Sequence, residues 1–166
     1  MNKNTIAICL AAMLIFSGCK KDEFNFLSTS YPDVPVTVSN LFGMYNGFPT
    51  VSTSVSGGGA ISITLNIPAS TGRTLKEISR VSTATTPNNY KVVQVSTGLY
   101  NTAPLPASGT SFTFTTTLAE YTNKTGAAVT TSGTATSFLG RYFYFLITLD
   151  NGQQLIPVPV RIYVAT

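Results

Sequence analysis

The chain contains no histidine and no tryptophan, and its only two cysteines, Cys9 and Cys19, lie near the N-terminus. Without histidine there is no imidazole base and no imidazole metal ligand. Beyond Cys19 there is no thiol, so no nucleophilic cysteine and no disulfide can form there, and stability must come from an ordinary core. Charge is sparse too, at 10% of residues, and the ten Lys and Arg are scattered rather than gathered into the stripe that nucleic-acid binding needs. Beyond Asp33 the carboxylates are Glu77, Glu120 and Asp150. Each has a structural reading. Glu77 sits among Lys76 and Arg80, Glu120 belongs to a helix-capping pattern, and Asp150 opens an Asp-Asn-Gly turn. Glu77 with Glu120 is the pair a glycosidase would need, and nothing in the sequence brings them together. Gly57-Gly58-Gly59 lacks the lysine and following helix of a phosphate loop. The inventory therefore predicts a non-enzyme with no cofactor and no metal site.

Long apolar runs are also scarce, with one exception at the start. Residues 6–16, IAICLAAMLIF, follow a short segment carrying Lys3. As a helix this run would rise about 16 Å, roughly half of a bilayer core, which suits a signal peptide and not a membrane span. It ends in Phe16-Ser17-Gly18-Cys19, which resembles the bacterial lipobox, with Phe16 where leucine is more usual. The resemblance implies cleavage after residue 18 and diacylation of Cys19. Two acyl chains anchor stably where one does not, at about 0.8 kcal/mol per buried CH₂. Lys20-Lys21-Asp22-Glu23 then resembles the export signal of Bacteroidota lipoproteins, in which Lys21, Asp22 and Glu23 direct the protein to the cell-surface side of the outer membrane. The expected organisation is a leader over 1–18, a lipidated tether over 19–33 and one domain over 34–166. Removing 18 of 166 residues leaves 148, enough for a single core, and takes the formal charge from +4 to +3.

In the body of the chain the strong signals have period two. Val34, Val36 and Val38 alternate with polar residues, as do Ile61, Ile63, Leu65 and Ile67. Residues 75–81 form a less regular strand, because Leu75 and Val81 share a parity that Ile78 does not. Residues 90–95 suggest another. Phe112, Phe114, Thr116 and Leu118 face one way, and 141–149 and 155–164 make the last two strands. Thr117-Leu118-Ala119-Glu120 fits a capping box, starting one helical turn. Seven strands without a long helical pattern predict an all-β, antiparallel immunoglobulin-like sandwich. The loop over 122–140 is long and of low complexity, the mark of a functional or mobile connection. Tyr45, Phe48, Tyr90, Tyr100 and Tyr121 lie in or near turns, where rings either stack on sugars or plug the ends of a sandwich.

The segments AISITLNIPASTGRTLKEISRV, SFTFTTTLAEY and RYFYFLITLDNGQQLIPVPVRIYV together resemble small immunoglobulin-like lipoproteins of Bacteroidota. These accompany SusC/SusD-type glycan-uptake systems, as the N-terminal domains of SusE-like proteins do. The resemblance implies an outer-membrane, lipid-anchored accessory protein whose partners are the membrane, SusC/SusD-type proteins or a glycan. The alternative is a structural or protein-docking lipoprotein with no glycan ligand.

The final hairpin allows a register argument. Centring the turn on Asn151-Gly152 places Ile147 opposite Ile156, Phe145 opposite Val158 and Phe143 opposite Val160, an apolar core face. A two-residue turn would put Pro157 and Pro159 at bonded positions where neither can donate. A four-residue loop over 150–153, or failing that a bulge near Pro157, avoids this. The opposite face carries Tyr142, Tyr144, Leu146, Pro157, Pro159 and Arg161, with Arg161 expected over Tyr142 as a cation–π pair. That strip is the candidate binding face, covered either by a partner or ligand or by the chain's own N-terminal segment.

Overall fold

The structure, a computed structural model, describes residues 34–129 and 137–166. The expected leader, Cys19, Lys21, Asp22, Glu23 and the tether lie outside the described residues, as does part of the 122–140 loop. Residues 34–166 form one compact unit, and the fold is all-β.

The described residues form ten strands: β1 (Thr37–Val38), β2 (Gly43–Tyr45), β3 (Phe48–Ser54), β4 (Ala60–Asn66), β5 (Leu75–Ala84), β6 (Leu105–Pro106), β7 (Ser111–Thr117), β8 (Tyr142–Leu149), β9 (Gln154–Leu155) and β10 (Arg161–Ala165). One layer is β1-β4-β7. The other contains β6-β5-β8-β9, continued into β10-β3-β2 by bridges between Phe143 and Val160 and between Phe138 and Tyr163. This is the order expected of an immunoglobulin-like sandwich. One pair departs from the antiparallel expectation, since β10 runs parallel to β3, with Arg161 beside Thr50 and Tyr163 beside Ser52.

The alternating patterns meet between the layers. Ile61, Ile63 and Leu65 from β4 are at most 1% exposed, and Phe114 from β7 packs edge-on to Phe145 at 5.6 Å between ring centres. Burying side chains of this size stabilises by about 1.5–3 kcal/mol each. The irregular parity of β5 has a cause. Its pairing with β8 shifts register between Leu75 and Glu77 and again between Ile78 and Arg80. Each bulge turns the following residues over, so that Leu75, Ile78 and Val81 are all buried.

Three expectations need correction. Residues 90–95 are not a strand: Tyr90–Val93 is a 3-10 turn, which drops Val93 and Tyr90 onto the outer face of β8. The helical turn is longer than expected. Helix α1 spans Leu118–Thr125, capped by the Thr117 hydroxyl accepting the Glu120 N–H at 3.1 Å. The Glu120 carboxylate does not complete the reciprocal bond of a capping box but accepts from the Thr116 hydroxyl at 2.9 Å. Finally, the last hairpin has neither a two-residue nor a four-residue loop.

Its loop is three residues long. The Leu149 N–H donates to the Gln153 carbonyl at 2.9 Å and the Gly152 N–H to the Leu149 carbonyl at 3.0 Å. Gly152, at φ +85°, takes the left-handed position that a type I turn with a glycine bulge requires. This slips the pairing near the turn by one residue, to Ile147 with Leu155, while Phe143 still faces Val160. The extra residue is absorbed between Ile156 and Pro159, outside any ladder. The bulge offered as the fallback is therefore what frees both prolines from donating. It also turns Val158 outward, to 49% exposure, rather than against Phe145.

Candidate functional site

The outward side chains of the β2-β3-β10 region make a continuous aromatic strip. Along β10, Ile162 and Val164 point to the core while Arg161 and Tyr163 point out. The parallel neighbour β3 offers only Thr50 and Ser52 beside them, so nothing bulky rises between the rings. Hairpin β2–β3 adds Tyr45 opposite Phe48. Phe138, bridged to Tyr163, comes from the approach to β8.

The rings touch in sequence. Phe42 lies parallel to Tyr163 at 4.9 Å between centres and to Tyr45 at 6.2 Å. Phe138 meets Tyr45 edge-on at 5.2 Å and Tyr163 at 5.6 Å. The Arg161 guanidinium carbon sits 4.1 Å from the Phe138 ring centre and 5.1 Å from that of Tyr142, which packs edge-on to Phe48 at 5.3 Å. The expected cation–π contact with Tyr142 is thus present, with a second ring added. Phe42 is 50% exposed and Tyr45 37%; the other members are half-buried. Exposed cation–π pairs contribute about 0.5–1 kcal/mol, and edge-on ring pairs a similar amount. These contacts hold the rings in place before any ligand arrives.

The candidate face read from the sequence divides here. Tyr142 and Arg161 belong to the strip. Tyr144 does not, for it is fully buried, and Leu146, on the same face, is only 6% exposed. They are covered by the chain itself, through Tyr90, Val92 and Val93. The Tyr144 hydroxyl donates to the Thr86 carbonyl and accepts the Asn89 N–H, and burial pushes its pKa up. Pro159 is buried and Pro157 half-buried. Pro157 lines a small apolar pit of about 210 Å³ with Leu41, Met44, Pro49 and Val158.

Comparison with family models, curated proteins and solved structures found no match. The chemistry of the surface has to be read from its own residues.

Of the turn aromatics, Tyr45 stays open, whereas Tyr100 and Tyr121 plug the core at 5% and 0% exposure. Burial raises both of their pKa values. Phe42, Phe138 and Tyr163 were not singled out from the sequence. Tyr163 shares the parity of Arg161 and was accessible by the same register argument, but Phe42 and Phe138 lie outside any periodic segment and gave no signal.

Among the described residues the three carboxylates are all engaged. Glu77 accepts from the Ser79 hydroxyl at 2.9 Å, and Asp150 lies 3.8 Å from Arg73. Glu120 is paired with Lys124 at 3.2 Å, and its pKa is lowered by the Thr116 hydroxyl first and by Lys124 second. Among the described residues there is no group of three or more potential metal ligands, and no helix long and apolar enough to cross a membrane. What the strip offers is ring faces for stacking and one guanidinium whose donors can reach hydroxyl or carboxylate oxygens.

Proposed function

We propose that this chain is a non-catalytic, surface-exposed accessory lipoprotein of a bacterial polysaccharide-uptake system, held in the outer membrane by a lipid on Cys19, and that it contacts glycan through the strip of Phe42, Tyr45, Phe138, Tyr163, Tyr142 and Arg161. The observation that carries the glycan contact is the strip itself. Its rings are open to solvent at one end and fixed against each other, so little ordering entropy is lost when a sugar ring stacks on them. The lipobox-like and Lys-Asp-Glu-like residues support the anchor and its placement. A protein-docking role without a glycan ligand is the second reading. It is favoured by the exposed Leu41, Met44 and Val158 around the apolar pit, which a hydroxyl-rich ligand would not need.

Affinity electrophoresis through gels containing neutral or uronic-acid polysaccharides tests the first reading. Retardation of the wild type, lost in Phe42→Ala and Tyr163→Ala, is the expected result. Wild-type mobility unchanged in every polysaccharide would leave the docking reading. Cys19→Ala should move the protein out of the membrane fraction, and protease added to intact cells should reach the wild-type domain.

A further inference from the structure

Strand β7 has a free edge. It pairs with β4 on one side and with no strand on the other among the described residues. The bonds Ile67 N–H to Thr110 carbonyl, at 2.9 Å, and Leu118 N–H to Gly59 carbonyl, at 2.8 Å, bracket this ladder. They fix its phase: Phe112, Phe114 and Thr116 exchange bonds with β4, while the peptide groups of Ser111, Thr113, Thr115 and Thr117 turn away from it.

The other edges are closed or too short. β1, β6 and β9 have two residues each, and β2 has three. Beyond β1, the Asn40 amide stands in for a strand on β4, donating to the Ser62 carbonyl at 2.8 Å and accepting the Thr64 N–H at 2.9 Å. β6 contains Pro106, and β9 runs into the Pro157 and Pro159 irregularity. β7, by contrast, reads Ser-Phe-Thr-Phe-Thr-Thr-Thr over seven residues. It has no charge, no proline and no register shift against β4, so it lacks these three common protections of an edge strand. Beside it runs a groove of about 460 Å³, whose walls include Tyr100, Leu105, Phe112 and Phe114 and whose end carries Glu120 and Lys124.

We propose that this edge is a docking site for an extended polypeptide segment of a partner protein, which adds to the β1-β4-β7 layer as a fourth strand. The edge itself specifies that chemistry. Outward N–H and C=O groups recur every second residue, about 6.6–6.8 Å apart, a spacing that another extended backbone reproduces. Side chains of the incoming segment opposite Phe112 and Phe114 enter the groove and must be apolar. Those opposite Thr113 and Thr115 stay in solvent and can be small and polar. The segment therefore alternates apolar and polar residues and lacks proline at its bonded positions. This site is separate from the aromatic strip, and its failure would leave the glycan reading untouched.

The test uses the full chain in detergent and a fluorescein-labelled, end-capped nine-residue peptide of alternating valine and threonine, followed by fluorescence anisotropy. Saturable binding to the wild type is expected, with affinity at least tenfold weaker for Thr115→Pro and unchanged for Thr115→Ser. Proline at 115 removes an outward N–H and breaks no bond to β4, so the variant should keep the wild-type thermal midpoint. A second peptide, N-methylated at alternate residues, should not bind the wild type and needs no change in the protein. Tyr163→Ala should bind the first peptide like wild type. Absence of saturable binding, equal binding by Thr115→Pro, or equal binding of the N-methylated peptide would overturn the proposal. So would a wild-type dimer by light scattering that Thr115→Pro dissociates, because the occupant would then be a second copy of the chain.

Discussion

Gly58 and Gly59 both adopt left-handed backbone, at φ +87° and +69°, but alanine should be tolerated very differently at the two. A Cβ on Gly58 would meet nothing within 4 Å. A Cβ on Gly59 would lie 3.2 Å from Leu118 Cδ1 and 3.3 Å from its Cβ and Cγ. Leu118 is 8% exposed and is the first residue of α1, and its N–H is bonded to the Gly59 carbonyl at 2.8 Å. It cannot retreat without moving the start of the helix. The left-handed conformation costs alanine about 1–2 kcal/mol at either position. Overpacking against Leu118 adds about 1–3 kcal/mol at Gly59 alone. The entropy that alanine removes from the unfolded chain is common to both variants and cancels in their comparison. Denaturant titration should therefore place Gly59→Ala below Gly58→Ala by about 1–3 kcal/mol. In the background of Leu118→Ala the Gly59 penalty should shrink by about 1 kcal/mol or more, a coupling that a double-mutant cycle reads directly. Equal losses for the two glycine variants, or strict additivity of Gly59→Ala with Leu118→Ala, would refute the packing argument.

Tyr144→Phe should lower stability by about 1–3 kcal/mol, because the Thr86 carbonyl and the Asn89 N–H both lose their partner; a denaturation midpoint equal to wild type would show that water replaces the hydroxyl without cost. Alkaline stability should follow the buried phenols. Tyr100, Tyr121 and Tyr144 each have a pKa raised above the ordinary 10.0, with burial as the leading cause. Above that pH the unfolded state binds fewer protons than the folded one, so the contribution of these groups is fully present below about pH 10 and is lost as pH climbs through their folded values. Denaturant midpoints measured from pH 8 to 12 should fall in that window, together with the tyrosinate absorbance rise, and a flat profile would contradict the burial of these rings.

Period-two alternation was enough to locate β4 and β7 and to assign their core faces, because a side-chain period of two leaves one choice once a face must be buried. The Thr117 cap was legible for a similar local reason, as was the meeting of Arg161 with Tyr142, two outward residues on neighbouring strands. Other features depend on residues far apart in the chain. β3 contains Pro49 and small polar residues, and it becomes a strand by pairing in parallel with β10, which follows it by about a hundred residues. The cover over Tyr144 comes from residues 86–93, whose Tyr90, Val92 and Val93 read equally well as strand or turn until β8 supplies a surface to pack on. The same holds for the aromatic strip. Phe42, Tyr45, Phe138 and Tyr163 come from three segments with no common period, and the parallel pair and the Phe138 bridge bring them together. Local sequence determined the faces of the individual strands, since backbone geometry acts residue by residue. The tertiary structure decided which faces stayed open, since that depends on what the rest of the chain lays over them.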